Sequence, residues 1–183
     1  GMTILAPASF QELGDMLGYA LHDIDGPVAV RYPRGGEGAY TASLVAPESE
    51  LRSGEDITLV SYGTLINQAL EAADILASLG ISAQVLKLGV LSPNDFSLCL
   101  QSVRKTGRLL VAEEVCSSGC VGTKIVTEAA LKGIELKAVR LLNLGDGIVC
   151  HGTVSELLHE KGLDAEAIAR EARELCGSCV ELR

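Results

Sequence analysis

From residue 57 onward the sequence alternates short apolar runs with longer amphipathic segments, and this alternation limits the folds available. Four runs rich in aliphatic residues predict strands, at 57–61, 83–88, 108–114 and 136–142. Between these runs, apolar residues recur at the three- and four-residue spacing of helices that have one buried face. Because strands that alternate with such helices form a parallel sheet covered on both sides, we predict an α/β fold: a three-layer αβα domain with a mostly parallel sheet.

The first 32 residues predict a separate strand, helix and strand. Residues 2–6 form a short apolar strand, and Ser9 with Glu12 has the spacing of a capping box at the start of a helix. A second apolar strand follows Gly26 and Pro27. Such a βαβ unit needs a larger sheet to be stable, so we expect it to be an isolated remnant of another domain.

The helical and strand periodicities are both lost between residues 35 and 56. Glycine, proline and acidic residues dominate there, which predicts an exposed connector. We therefore divide the chain into a βαβ remnant at 1–40, a connector at 41–56 and a second domain at 57–183. Within that domain we expect Ser92 to cap a helix with Pro93 in its first turn, and Thr153 and Asp164 to cap the last two helices.

Charge and hydropathy exclude several classes of partner. The 183 residues include 24 acidic and 15 basic side chains, a net charge of −9, which argues against binding to nucleic acid or to an anionic membrane surface. No apolar run approaches the roughly 18 residues of a spanning helix, and there is no basic-then-apolar leader. We expect a soluble, cytoplasmic protein.

Six cysteines, at 99, 116, 120, 150, 176 and 179, allow two interpretations. Together with His151 they could form a zinc or redox site, because thiolates and imidazole are the usual zinc ligands. The other interpretation is reduced thiols that fill small apolar spaces. We favour reduced thiols and predict no metal site, because the chain lacks two CxxC pairs at zinc-finger spacing.

The strongest candidate binding segment is residues 26–36, which read GPVAVRYPRGG. An apolar run that ends in Arg31, Tyr32, Pro33 and Arg34 predicts a buried strand that delivers two arginines to a loop. Open α/β sheets bind anions at the carboxyl ends of their strands, and a guanidinium can hold a phosphate through two parallel hydrogen bonds. The alternative is that these arginines pair with the chain's own carboxylates.

Three further motifs could carry chemistry. Glu113 and Glu114 could supply an acid and a base, but adjacent strand residues face opposite ways, so we predict that they do not share a site. Gly63 and Thr64 could offer amides to an anion, or simply form a tight turn. His151 could transfer protons, although a structural or incidental role is the simpler interpretation.

Taken together, several motifs resemble the 1-deoxy-D-xylulose-5-phosphate synthases, thiamine-diphosphate enzymes of the transketolase superfamily. Residues 26–35 resemble the end of the pyrimidine-binding domain of these synthases, and residues 143–152 and 162–165 resemble the segments that end the sheet and form the final helix. Residues 57–64 and 109–114 resemble the C-terminal domain of transketolase-type enzymes. Residues 90–95 depart from the family pattern, which has a basic residue and Pro-Leu-Asp there. The resemblance implies that Arg34 contacts the phosphate of the glyceraldehyde 3-phosphate acceptor, with Arg31 and Tyr32 shaping the loop of that phosphate-binding site.

The same resemblance implies a transferase that joins pyruvate to glyceraldehyde 3-phosphate with loss of CO2, feeding isoprenoid and thiamine synthesis. The parent enzyme uses thiamine diphosphate and magnesium. This chain lacks the family's metal motif and its activating glutamate, so we expect it to bind neither cofactor, to contain no catalytic residue and to be inactive alone. Its expected partners are the N-terminal domains of the same enzyme and a second copy in a homodimer.

Two rival functions stay open. The first is the small subunit of a split transketolase or the C-terminal half of a 2-oxoacid dehydrogenase β chain, which share the fold. The second is a non-enzymatic domain that binds an anion or serves assembly. The arginine segment at 31–35 and the segment at 143–152 favour the synthase.

Overall fold

A computed structural model describes residues 1–33 and 35–177. The described residues form eight strands and six α-helices. The strands are β1 (Thr3–Leu5), β2 (Val28–Val30), β3 (Glu48–Arg52), β4 (Ile57–Tyr62), β5 (Ala83–Leu88), β6 (Val90–Ser92), β7 (Arg108–Ala112) and β8 (Ala138–Leu142). The helices are α1 (Phe10–His22), α2 (Ile66–Ser78), α3 (Ser97–Thr106), α4 (Val121–Leu131), α5 (Val154–Glu160) and α6 (Ala165–Leu175).

The larger of two sheets has five strands in the order β3-β5-β4-β7-β8. Four of them run parallel, and β3 joins the edge antiparallel to β5. Strands β4 and β5 are buried at every position, as their aliphatic sequences predict for strands covered on both faces. Helices α2 and α6 pack on one face, and α3 and α4 pack on the other. The predicted three-layer α/β fold is confirmed.

The smaller sheet contains the N-terminal βαβ unit and has the order β2-β1-β6. Strands β1 and β2 are parallel, and β6 pairs antiparallel with β1. Because β6 directly follows β5, the expectation that the βαβ unit is isolated is wrong. The second domain supplies the strand that extends its sheet.

The predicted helix start at Ser92 is also wrong. Ser92 ends β6 and pairs with Ile4, while α3 begins at Ser97. The polar residues after Pro93 still satisfy backbone donors. The side chains of Asn94 and Asp95 accept hydrogen bonds from the backbone amides of Phe96 and Ser97. The predicted cap thus lies four residues before the observed one, Phe96, because the pairing of Ser92 with a distant strand cannot be inferred from the local pattern.

Part of the predicted connector is a strand. Residues 48–52 form β3, whose acidic side chains bond to other elements: Glu48 accepts from the backbone amides of Leu98 and Cys99, and the exposed Glu50 accepts from the side-chain amide of Gln84. This edge strand was not predicted because its sequence is polar. The division of the chain into domains stays a prediction.

Other helix ends follow the sequence. Ser9, Thr153 and Asp164 each accept a hydrogen bond from an amide in the first turn of the following helix, as predicted. Within the described residues, none of the helices combines the length and apolar character needed to cross a lipid bilayer.

The two sheets meet at the carboxyl ends of the larger one. Ala6 and Ala8, just after β1, are buried in the two opposite cores of the larger sheet. A third small core of Leu5, Met16 and Val90 lies between α1 and β6. The N-terminal unit is therefore packed against the end of an open α/β sheet where ligands usually bind.

Candidate functional site

A cavity of about 350 Å³ opens in the N-terminal unit next to the larger sheet. Its lining comes from the turn between β1 and α1, the loop after β2, and the first turn after β4. The lining residues are Pro7–Phe10, Leu13, Tyr32, Pro33, Gly35–Glu37 and Thr64. The volume suits a small molecule, and the position is the crevice expected for a ligand of this fold.

Part of the predicted binding segment forms this cavity. Tyr32 lines it with a side chain that is 65% exposed, and Pro33, Gly35 and Gly36 contribute the adjoining wall. Arg34 lies outside the described residues, so its contact with a phosphate stays a prediction.

Arg31 faces the second domain. Its Nη2 donates to the backbone oxygen of Glu114 at 2.9 Å and lies 3.9 Å from that residue's carboxylate. The guanidinium carbon is 5.3 Å from the centre of the Tyr62 ring, a cation-π distance. Arg31 is thus placed as a contact between the N-terminal unit and the strand ends of the larger sheet, and its predicted phosphate role stays untested.

The turn at Gly63 accommodates that contact. Gly63 has φ of +59°, and a β-carbon there would lie 3.6 Å from Nη1 of Arg31. A β-carbon at that distance would be in ordinary van der Waals contact, so it is the left-handed backbone that favours glycine, and the tight turn is sufficient to explain this residue. Thr64 lines the cavity, but the anion-binding interpretation of the turn has no other support.

A carboxylate of the chain itself accepts a hydrogen bond at the N-terminus of α1. The amide of Phe10 donates to Oε2 of Glu37 at 2.7 Å, and Glu37 belongs to the loop that follows Arg34. A helix N-terminus favours anions, and here the chain supplies its own. A phosphate bound at this end of the cavity would have Glu37 as a neighbour or would displace it. Sequence analysis did not identify Glu37, because nothing local marks its partner 27 residues away.

Glu113 and Glu114 do not share a site, as the alternation of strand side chains predicts. Glu113 is buried and accepts hydrogen bonds from the Tyr62 hydroxyl at 2.9 Å and from the amides of Val121 and Gly122 at 2.7 and 2.8 Å. Burial, followed by the Glu113 carboxylate, raises the pKa of Tyr62 far above its ordinary value, so the phenol stays protonated and donates. This carboxylate anchors the start of α4 to β4 and β7, and Glu113 does not line the cavity.

The described cysteines are free thiols, at positions 99, 116, 120, 150 and 176. Cys179 lies outside the described residues. Burial, with a smaller effect from Glu48, raises the pKa of Cys99, which disfavours a reactive thiolate there. His151 is exposed.

The described residues do not fit a magnesium diphosphate site. Among residues 1–33 and 35–177, no group of three or more His, Cys, Asp or Glu side chains is arranged to hold a metal ion. Asp146, in the Gly-Asp-Gly turn, instead accepts hydrogen bonds from the Ser117 hydroxyl and the Ser118 amide, and the first of these chiefly lowers the pKa of its carboxyl group.

Sequence analysis missed one buried pair that adjoins the cavity. Glu12, on α1, and Lys87, on β5, are both fully buried, with Oε1 and Nζ 2.7 Å apart. Glu12 was interpreted only as part of a capping box. A single lysine within the otherwise uncharged strand sequence AQVLKL was the available signal, because lysine is almost never fully buried without a partner.

Comparison with known protein families agrees with the fold. The family model described as "Transketolase, C-terminal domain" matches residues 49–168. A solved structure described as "Split gene transketolase, inactive beta4 tetramer" superposes with a TM-score of 0.82 at 26% identity, covering 96% of this chain and 58% of that one.

Curated relatives extend the similarity to nearly the whole chain. The 1-deoxy-D-xylulose-5-phosphate synthase of Heliobacterium modesticaldum is 38% identical over 180 residues, which is 95% of this chain. The synthase of Chlorobium phaeovibrioides is 36% identical over 181 residues, or 94% of this chain. This chain spans 28% of the length of each of these relatives, at their C-terminal part.

Proposed function

Since the chain belongs to the family of transketolase C-terminal domains, we propose that it forms the C-terminal part of a 1-deoxy-D-xylulose-5-phosphate synthase. That enzyme condenses pyruvate with glyceraldehyde 3-phosphate, releasing CO2, for isoprenoid and thiamine synthesis in the cytoplasm. The observation that carries the proposal is the cavity at the strand ends, which the arginine segment lines on one side and the start of α1 lines on the other.

In this proposal the cavity receives the acceptor. Arg34 contacts the acceptor phosphate, and its neighbours Pro33 and Gly35 are part of the cavity wall. Tyr32 forms one side of the same wall. Arg31, held by Glu114 and stacked near Tyr62, fixes where the loop leaves β2, so it shapes the phosphate site from outside.

Thiamine diphosphate and magnesium belong to the complete enzyme in this proposal, not to this chain. The described residues offer no group of metal ligands, and the buried carboxylates of Glu12 and Glu113 are engaged by internal donors. In this proposal the other domains of the enzyme hold the cofactor, and we expect no turnover by the isolated chain.

The N-terminal unit supports the proposed partnership with those domains. Several large apolar side chains of this unit are exposed to solvent. The outer edge of β2 has no neighbour among the described strands. The exposed side chains are Met2, Phe10, Leu17, Tyr19, Leu21 and Tyr32. In this proposal the other domains of the enzyme cover part of this apolar surface and continue the sheet beyond β2, and a homodimer of the whole enzyme completes the assembly.

Complementation tests the proposal. The chain is purified alone and together with the N-terminal part of the Heliobacterium modesticaldum synthase, and formation of 1-deoxy-D-xylulose 5-phosphate from pyruvate and glyceraldehyde 3-phosphate is measured. We expect no product from either part alone and product from the mixture. Turnover by the isolated chain would contradict the proposal, as would an inactive mixture whose parts demonstrably associate.

A second candidate is the small subunit of a split transketolase, favoured by the structural similarity to the split-gene transketolase. The two functions differ in the donor. The complemented enzyme should use pyruvate and should not transfer two-carbon units from ketose phosphates. The opposite donor preference would assign the chain to the transketolases.

A further inference from the structure

The Glu12–Lys87 ion pair links the N-terminal unit to the second domain through the interior of the protein. Lys87 lies on β5, where it pairs with Ser61 of β4 and Ser49 of β3, and its side chain is fully buried. Its ammonium is 2.7 Å from Oε1 of Glu12, yet no described residue completes a well-directed hydrogen bond with it. Glu12 is therefore the only described group that neutralises this charge.

The Glu12 carboxylate also holds two loops. Oε2 accepts from the amide of Ala8 at 2.8 Å, and Oε1 accepts from the amide of Leu44 at 3.2 Å. Ser9 strengthens the same junction, since its hydroxyl caps the Glu12 amide and donates to the backbone oxygen of Ala42 at 2.8 Å. One side chain thus fixes the turn after β1 and the loop at 42–44 relative to β5.

The contacts of Glu12 adjoin the wall of the cavity. Ala8, Ser9, Phe10 and Leu13 line the cavity, while the Glu12 carboxylate points from the same turn of α1 toward β5. A shift of Glu12 would therefore move the cavity wall. Burying two charges is often no more stabilising than apolar side chains of similar size, so stability alone does not account for the pair.

We infer that Lys87 is a positioning residue: through Glu12 it fixes the first turn of α1, and with it the wall of the acceptor cavity, on the second domain. The inference rests on the proposed function only for the identity of the ligand. The positioning itself is a property of the chain and can be measured without activity.

The primary test is amide hydrogen exchange in the 183-residue chain. In Lys87→Met we expect exchange at Ala8 and Leu44 to become at least tenfold faster, with central β4 amides unchanged. In Glu12→Gln/Lys87→Met, which leaves no buried charge, we expect a melting temperature close to that of the parent chain but the same faster exchange at these two sites. The matched control is Lys105→Met, which removes an exposed lysine that lies 3.3 Å from Glu55, and it should change neither quantity.

A second readout separates a buried charge from ordinary packing. Lys87→Met leaves the Glu12 carboxylate buried without a counter-charge, whereas Glu12→Gln/Lys87→Met leaves no buried charge at this junction. The melting temperature should therefore fall in the single variant and recover in the double variant. Equal melting temperatures for the two variants would contradict a role for the charge of Lys87.

Kinetics of the complemented enzyme test the link to the acceptor. Glu12→Gln/Lys87→Met should raise KM for glyceraldehyde 3-phosphate several-fold and leave KM for pyruvate unchanged. Unchanged exchange at Ala8 and Leu44 would overturn the inference, whatever the kinetics. Faster exchange with an unchanged acceptor KM would overturn the link to the acceptor cavity. An inactive parent complex would count against the proposed function, while the exchange data would still decide the positioning role.

Discussion

Replacing Glu113 with alanine is expected to lower the free energy of unfolding by about 3 kcal/mol or more, one of the two largest stability effects we anticipate for a single substitution. The carboxylate accepts from the Tyr62 hydroxyl and from two amides at the start of α4, all in the buried interior. Alanine leaves these three donors without a partner, and each unsatisfied buried donor costs about 1 to 3 kcal/mol. Urea unfolding followed by circular dichroism measures the loss.

The adjacent residue provides the control. Glu114 is partly exposed, and its carboxylate lies 3.9 Å from Arg31, so Glu114→Ala should cost less than about 1 kcal/mol. Its backbone oxygen, which Arg31 also contacts, is retained in the variant. Equal costs for the two alanine variants would show that Glu113 does not anchor α4 as described.

Gly54→Ala is the second large effect, with an expected loss of about 3 kcal/mol, at the upper end for overpacking. Gly54 is buried, and a β-carbon there would lie 2.2 Å from the backbone of Ala83 and Gln84 at the start of β5. The adjoining amides of Glu55 and Asp56 both bond to Ser82, so the backbone at this turn has little freedom to retreat. The same unfolding measurement applies.

The contrasting substitution is Gly14→Ala. Gly14 lies within α1, is exposed, and has open space at the position of a β-carbon. Alanine in a helix interior should raise the free energy of unfolding by about 0.5 to 1 kcal/mol, because it loses less conformational entropy than glycine. If Gly54→Ala were as harmless as Gly14→Ala, the close approach of the 53–56 turn to β5 would be wrong.

The four parallel strands of the larger sheet could be predicted because their sequence signals are local. Each central strand is a continuous aliphatic run, and each following helix carries its own periodicity and end signals, such as Asp164 before α6. Parallel order then follows from the alternation of strands and helices. Helices α2 and α3 form between the strands as predicted, although α3 begins later than expected.

The parts that escaped prediction depend on distant partners. Strand β3 is polar because its acids serve α3 and Gln84, and β6 is only three residues long and is defined by its pairing with β1. Neither pattern carries a strand signal by itself. The docking of the N-terminal unit onto the second domain therefore could not be derived from either segment alone.

The candidate site shows the same division. The arginine segment was identified locally, and Tyr32 does line a cavity. The groups that shape that cavity from behind, Glu12 with Lys87 and Arg31 with Glu114, are joined by pairs separated by 75 and 83 positions (87 − 12 and 114 − 31). Charged residues in such pairs reveal their partners only once the chain is folded.

The most direct test of the central claim, that this chain supplies the acceptor-phosphate site, is the acceptor specificity of Arg34→Ala in the complemented enzyme. Loss of a charge-assisted phosphate contact should lower kcat/KM for glyceraldehyde 3-phosphate roughly 10- to 100-fold, corresponding to about 1.5 to 3 kcal/mol. With glyceraldehyde, which has no phosphate, parent and variant should have the same kcat/KM. The control variant Arg52→Ala, which removes a partly exposed arginine outside the cavity lining, should behave as the parent with both acceptors. An equal loss for both acceptors, or no loss for either, would contradict the claim.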